Sequence, residues 1–452
     1  MNQIIKKIYN EVQRLKQENK NHEAYKFLKD LSVDLLMYLY DVCYSEKIYD
    51  EAKKILDMID KLEPNIWQIA VNKCDFHYKK LDFDCASKYI EKAIMCPEGN
   101  NKLDVLYNYA VIMAESGKKH QAIDMYRQIL KSCPDHKSSL YNLSSELIIT
   151  NQWDEGWKLY EKRFYCYKHL QEVKNRFEGF KYYDGENLKG KKIIVFNEQG
   201  AGDYFNFVRF INDLKNVQVV LTCNPHSEKL FRNSPLNTYD IVTDMDVLRK
   251  KHSNANYVVS VCSLPMFCNI KNDTNLFQKQ YLNTNKKIKI KSLSTTKPNV
   301  GLVYYGSPHH PLDYKRSMKA SQVKILEKCT NVNVLSLQLS NERVRVHNGL
   351  TVDMEDEQLN IENISKHIKT YEDTASILKQ LDLLITIDSS IAHVAGGLGI
   401  KTWLLLDYNN DFRWGTNGNT TNWYPSFEII RQQNIYDWDS VANQVCEKLS
   451  AF

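Results

Sequence analysis

Several short segments carry residue types suited to binding or transforming an anionic ligand. The first is Glu198-Gln199-Gly200-Ala201-Gly202-Asp203, between the apolar run Ile193–Phe196 and a helical stretch expected over Phe205–Leu214. Two glycines at a strand-to-helix turn let a ligand approach the backbone beside the positive end of a helix. The run lacks the full G-x-G-x-x-G spacing, so it does not by itself specify a dinucleotide. Asp203 either caps the helix with its carboxylate or faces a cleft, where a carboxylate can act as a general base. The second segment, Gly306–Ser317, follows the apolar run Val300–Tyr305 and carries His309, His310, Lys315 and Arg316. Its cations suit a departing diphosphate, which needs several charge-assisted donors; the same composition also suits a solvated basic loop.

The third segment is the most informative. Leu383–Ile387 reads as a buried strand, and Asp388-Ser389-Ser390-Ile391-Ala392-His393-Val394-Ala395-Gly396-Gly397-Leu398-Gly399 follows it. Ser389 and Ser390 open a helix whose unpaired N–H groups point at an anion, with their hydroxyls as extra donors. Ala392, Ala395 and Gly396 let that helix pack closely. The plainer alternatives are an ordinary N-cap at Ser389 and a satisfied, half-buried histidine at His393. Asp411-Phe412-Arg413-Trp414 and Trp423-Tyr424-Pro425 form a fourth group. An arginine among aromatics either covers a ligand or locks a wall between lobes, and packing is the role expected of the tryptophans.

The elements that must position these residues are legible as texture. From Lys191 onward, short apolar runs alternate with helical stretches, the signature of parallel α/β layers. Strands are expected at Ile193–Phe196, Val217–Thr222, Tyr257–Val261, Val300–Tyr305, Val332–Leu337, Leu383–Ile387 and Lys401–Leu406, with a final helix at Asp439–Leu449. The Lys/Ser/Thr-rich stretch Asn285–Pro298 reads as a hinge between two lobes. Upstream, Ala110, Gly117, Ala122 and Tyr126 recur 34 residues later as Ser144, Asn151, Gly156 and Tyr160, and Ala52 precedes Ala86 by the same interval. Small residues let paired helices approach, Gly117 and Asn151 suit left-handed turns, and Pro64, Pro97 and Pro134 close successive units. This is the tetratricopeptide pattern, in about four units over residues 30–165, with Asn2–Asp30 as a degenerate or capping pair.

Composition bounds the rest. The 452 residues exceed one ordinary core, and 43% hydrophobic with 25% charged residues is globular. A net charge of +5 is too mild and diffuse for a nucleic-acid footprint. The 11 cysteines are an odd number without a C-x-x-C pair, and Cys74, Cys85 and Cys96 fall within helical pattern. That argues for free thiols and no structural zinc. No segment approaches the ~18 apolar residues of a membrane span, and the first twenty residues lack a signal-peptide core. A cytoplasmic chain is expected, with at most peripheral contact at the inner face of a membrane.

Together the segments resemble a bacterial family in which tetratricopeptide repeats precede a heptosyltransferase-like glycosyltransferase of family 9. The resemblance rests on Asp154-Glu155-Gly156-Trp157 with Leu159-Tyr160-Glu161, the glycine turn 198–203, His310–Ser317, Ser336-Leu337-Gln338 and Asp373-Thr374-Ala375. Asp388–Gly399, Arg413-Trp414, Trp423-Tyr424-Pro425-Ser426 and Asp437-Trp438-Asp439 complete it, in order from residue 150 to the end. Ser389 stands for the family's threonine, and Tyr304 or Tyr305 for a tryptophan on the first donor-lobe strand.

The resemblance implies an all-α superhelix over residues 1–165, a connector over 166–190, and a GT-B fold of two Rossmann-like lobes. An acceptor lobe would span 191–290 and a sugar-nucleotide lobe 291–452. Asp203 maps to the general base, with Gln199, Gly200 and Gly202 on the acceptor-side turn. Lys315, Arg316, Ser389, Ser390 and His393 map to the diphosphate site, and Gln338, Thr374 and Asp388 to the nucleotide. The expected activity is inverting transfer of a sugar from a nucleoside-diphosphate donor without a metal or other cofactor. The acceptor hydroxyl would belong to a glycan, a lipid-linked molecule or a protein, chosen with help from the repeats, which also offer a concave face to a protein partner. The competing expectation is a repeat scaffold carrying a catalytically silent nucleotide-binding module.

Overall fold

The computed structural model describes residues 2–18, 20, 33–46, 48–62, 67–80, 82–96, 103–271, 276, 280–307, 310, 312–339, 344–347, 350–353 and 359–452. Pro64, Pro97, Pro308, His309, Pro311 and the stretch 21–30 lie outside them. The chain forms two compact units, one built on Met1–Pro134 and one on Asp135–His347 with Thr351–Phe452.

Among the described residues of the first unit, helix α1 (Asn2–Gln17) precedes three antiparallel helix pairs: α2 (Val33–Ser45) with α3 (Tyr49–Leu62), α4 (Trp67–Lys79) with α5 (Phe83–Met95), and α6 (Leu103–Glu115) with α7 (Lys119–Ser132). Apolar residues at helical spacing create the inner faces: Leu36, Leu39 and Tyr40 of α2 bury against Ala52, Leu56 and Ile59 of α3. Ala52, Ala86, Ala110 and Ala122 are completely buried, which is why those positions must be small. The turn between α6 and α7 passes through Gly117 at φ +77°, a left-handed backbone that glycine adopts without strain.

The second unit opens with another helix pair, α8 (Lys137–Ile149) and α9 (Trp153–Tyr160). It keeps the repeat geometry. Asn151 turns the chain at φ +65°, and a Cβ on Gly156 would stand 2.7 Å from Ile148 Cγ1. Its outer aromatics are nevertheless part of the α/β core. Trp153 stacks on Trp423 at 5.8 Å, and Trp157 meets Phe207 edge-on at 5.8 Å. Short helices α10 (Arg163–Cys166) and α11 (Lys168–Asn175) lead to the first sheet.

That sheet is parallel, with β1 (Lys192–Phe196), β2 (Gln218–Thr222), β3 (Asp240–Val242) and β4 (Tyr257–Ser260) in the order β3-β2-β1-β4. Its crossovers carry α12 (Ala201–Phe207), α13 (Pro225–Asn233) and α14 (Met245–His252). A second parallel sheet contains β5 (Asn299–Val303), β6 (Asn333–Ser336), β9 (Glu362–Asn363), β10 (Leu383–Ile387), β11 (Thr402–Leu406) and β12 (Phe427–Arg431) in the order β12-β11-β10-β5-β6-β9. A separate two-stranded sheet pairs β7 (Val344–His347) with β8 (Leu350–Asp353). The helices that matter to the second six-stranded layer are α15 (Asp313–Arg316), α16 (Tyr371–Leu378), α17 (Ser390–Leu398) and α18 (Trp438–Ser450).

Strand order reverses beside β1 in the first sheet and between β5 and β10 in the second. Ligands of open parallel sheets sit outside the carboxyl ends of strands at such reversals. The glycine turn, the basic loop and the serine-led helix follow β1, β5 and β10. Two differences from the sequence reading affect them. Helix α12 starts at Ala201 rather than Phe205, so Asp203 stands inside its first turn. Edge strands β3 and β12 were not expected, because their runs are short and mixed in polarity. Among the described residues no helix is long and apolar enough to cross a membrane.

Candidate functional site

The starts of α12 and α17 approach each other across the two sheets. A Cβ on Gly202 would stand 3.0 Å from His393 Cδ2 and 3.6 Å from Ser390 Cα. The second glycine of the turn therefore makes room for a neighbouring helix. Gly200 occupies the N-cap of α12, and no side chain caps that helix. Asp203 is not a cap: its carboxylate forms an ion pair with Arg413 Nη2. Arg413 Nη1 holds Asp411 at 2.7 Å, and the guanidinium lies 5.0 Å from the Phe207 ring centre and 4.4 Å from that of Phe412. Burial opposes the Arg413 charge, but Asp411 and then Asp203 outweigh it and hold the group protonated.

The turn is anchored from the other side by the last helix pair. Gln199 Nε2 donates to the Tyr160 hydroxyl at 2.7 Å. Glu198 accepts from Arg163 Nε at 2.8 Å, both side chains fully buried, and Arg163 Nη1 reaches Glu161 at 2.6 Å. Burial raises the proton affinity of Glu198, with Arg163 opposing it.

At the start of α17, Ser389 has N-cap backbone geometry (φ −151°, ψ 172°) but makes no capping hydrogen bond. Its Oγ is buried without a partner, and so is Nε of Arg413. A buried polar group left unpaired costs about 1–3 kcal/mol, and each of these two has room for a further partner. Arg316 frames the same place, donating from Nη1 to the Asp388 carbonyl at 2.9 Å while Nε pairs with Asp313 at 3.2 Å. Ser390 Oγ lies 3.4 Å from the Tyr371 hydroxyl. The Asp388 carboxylate is pushed up to about 6 by burial and then by Asp411, against the pull of Arg316 and Arg413.

The remaining expected site residues sit in more occupied surroundings. His393 is buried, stacks on Trp414 at 5.4 Å, and places Nδ1 2.9 Å from the Tyr424 hydroxyl. Burial, reinforced by the Arg413 and Arg209 charges, holds it neutral, and its Nε2 lies 4.0 Å from Asp388 Oδ1. Gln338 accepts from the Tyr304 and Tyr305 amides at 3.3 and 3.2 Å and donates to the Tyr305 carbonyl at 3.0 Å, fixing the end of β5. Thr374 is buried in α16 and its hydroxyl donates to the Thr370 carbonyl at 3.4 Å. Lys315 is buried, with the Trp438 indole donating to its carbonyl at 3.1 Å.

A buried latch between the sheets went unread in the sequence. Arg209 Nη1 donates to the Trp423 carbonyl at 2.7 Å and Nη2 to the Tyr281 hydroxyl at 2.9 Å; Asn206 donates to the Tyr424 hydroxyl at 2.9 Å. The available signal was an arginine inside the apolar run Phe205–Ile211, where a charge must be buried and paired. Among the described residues, His77, Asp82 and Cys85 form the group close enough to hold a metal ion. Asp82 is engaged there as the N-cap of α5 and as the partner of His77 at 2.9 Å.

These features define a helical-repeat region joined to an α/β region of parallel sheets. Within the first, residues 104–136 match the tetratricopeptide repeat family model. Among solved structures, the tetratricopeptide protein YrrB is similar at 15% identity over 37% of this chain and 90% of its own, with a TM-score of 0.29. MamA from Desulfovibrio magneticus RS-1 is similar at 15% identity over 38% of this chain and 97% of its own, with a TM-score of 0.28. A repeat protein from Cytophaga hutchinsonii aligns at 18% identity over 28% of this chain and 50% of its own, with a TM-score of 0.25. No curated protein matches the chain.

Proposed function

We propose that the chain is an inverting glycosyltransferase of the GT-B type, its two parallel sheets forming an acceptor lobe and a sugar-nucleotide lobe. The observation that carries the reading is the pair of unpartnered buried donors, Ser389 Oγ and Arg413 Nε, at the start of α17 and beside Asp203. A donor diphosphate would take up donors of this kind. The helix N-terminus, the Ser389 hydroxyl, Arg316 and Arg413 would take up the charge that develops as it leaves. Asp203 would remove the proton from an acceptor hydroxyl as its oxygen attacks the sugar C1 and the C1–diphosphate bond breaks. The acceptor is a hydroxyl of a glycan, lipid-linked molecule or protein. Tyr160 and Gln199 make the last helix pair a contributor to acceptor choice, because their hydrogen bond ties α9 to the turn that carries the base.

The test combines a thermal-shift panel of nucleoside diphosphates and sugar nucleotides with turnover of the responding donor. Asp203→Asn should lose about 10²–10⁴-fold in turnover while nucleotide binding persists. Unchanged turnover removes Asp203 from the role. One observation favours the scaffold alternative: Asp203 is already engaged in an ion pair with Arg413. Sugar-nucleotide hydrolysis that is absent from the wild type, together with no nucleotide-induced thermal shift, would select that alternative; hydrolysis lost in Arg316→Ala would exclude it.

A further inference from the structure

The ion pair that holds Asp203 has a geometry suited to exchange. Arg413 is anchored on Asp411 twice, through Nη1 at 2.7 Å and through its backbone N–H at 3.0 Å, so its position does not depend on Asp203. The edge of the guanidinium formed by Nε and Nη2 is a two-pronged fork that matches a carboxylate or a phosphate. Here Asp203 takes only the Nη2 prong, through Oδ1, and Nε remains without a partner. Arg413 is buried to 9% exposure, and Asp411 remains its counter-ion when Asp203 lets go. Asp203 occupies one prong of that edge, and an incoming diphosphate can take both.

We propose that Arg413 is the exchange residue of the site. In the free protein it holds the Asp203 carboxylate; a donor diphosphate takes its Nε–Nη2 edge and releases Asp203 to accept the acceptor's proton. The inference rests on the donor site proposed above and adds an order to it. The donor binds first, and until it does Asp203 Oδ1 stays engaged by Arg413. Arg413 exchanges hydrogen-bond partners only; no covalent bond forms or breaks in this step.

The experiment is equilibrium titration of the full chain with ADP, GDP, UDP, CDP and inorganic pyrophosphate, by calorimetry. Removing the competing charge in Asp203→Asn should tighten binding of the responding diphosphate on the order of tenfold, a typical coupling between linked sites. Arg413→Lys keeps a charge but loses the fork; it should weaken binding by a similar factor and abolish the gain from Asp203→Asn in the double variant. The gain of affinity is the decisive sign, because a misfolded variant cannot produce it. Equal or weaker binding by Asp203→Asn overturns the exchange yet leaves the donor site standing if the wild type binds. Failure of every probe to bind both the wild type and Asp203→Asn overturns the exchange and the donor site together.

Discussion

Asp388 stands where opposing fields meet. Burial, and next the Asp411 carboxylate, raise its proton affinity to about 6, while Arg316 and Arg413 act against them. The folded value lies above the ordinary unfolded value of about 3.9, so it is the protonated form that the fold favours. That contribution is fully present below about pH 4 and is lost as the pH rises through about 6. Urea unfolding should therefore show the wild type losing on the order of 2 kcal/mol between about pH 4 and about pH 7 relative to Asp388→Asn. A difference that does not change with pH would place Asp388 in ordinary surroundings. Residue identity alone carried part of this. Asp203, Asp388, Ser389 and Arg413 were all visible as candidates, but an aspartate's proton affinity depends on neighbours that no spacing rule reveals.

At the scale of elements, α17 shows how a readable pattern acquires its meaning from a partner. Its small face was legible as a close-packing surface, and Ala392 and Ala395 are completely buried. What packs there was not legible. A Cβ on Gly396 would collide with the Tyr424 ring, and one on Gly397 would stand 2.6 Å from Leu282 Cδ1. Both contacts come from outside the helix and strands that the pattern suggested. Tyr424 in turn holds Asn206 and His393 through its hydroxyl. Gly396→Ala should force that ring out of place and destabilise the second unit by about 1–3 kcal/mol, read from the denaturant midpoint. A midpoint equal to wild type would show that the ring relocates freely.

For the whole molecule, the question is where the repeats stop being separable. Sequence periodicity runs to residue 165, yet the second compact unit begins at Asp135. The reason is chemical: Trp153, Trp157 and Tyr160 occupy the spaces a next repeat would fill, but they bury against Trp423, Phe207 and Phe412 instead. Residues 135–452 should therefore unfold in one cooperative transition when expressed alone. Residues 166–452 should expose Phe207 and Trp423 and show a lower thermal midpoint or aggregate, since each large aromatic lost from a core costs about 3–5 kcal/mol. Equal midpoints for the two fragments would mean that the last helix pair is a detachable repeat.

The sequence by itself determined the features that arise from neighbours along the chain. The 34-residue register placed Gly117 and Asn151 at left-handed turns, and alternating apolar runs located β1, β5, β10 and β11 to within a residue or two. Helix and strand periods are local, so composition over a few turns suffices to expose them. Only the tertiary structure decided which side chains face one another. Asp203 and Arg413 lie 210 positions apart, and Arg163 meets Ser263 across 100. A buried charge must find an opposite charge or donor wherever the fold supplies one, and that choice is made when the layers pack. The same packing left Ser389 Oγ, at the start of α17, and Arg413 Nε, beside Asp203, buried without hydrogen-bond partners.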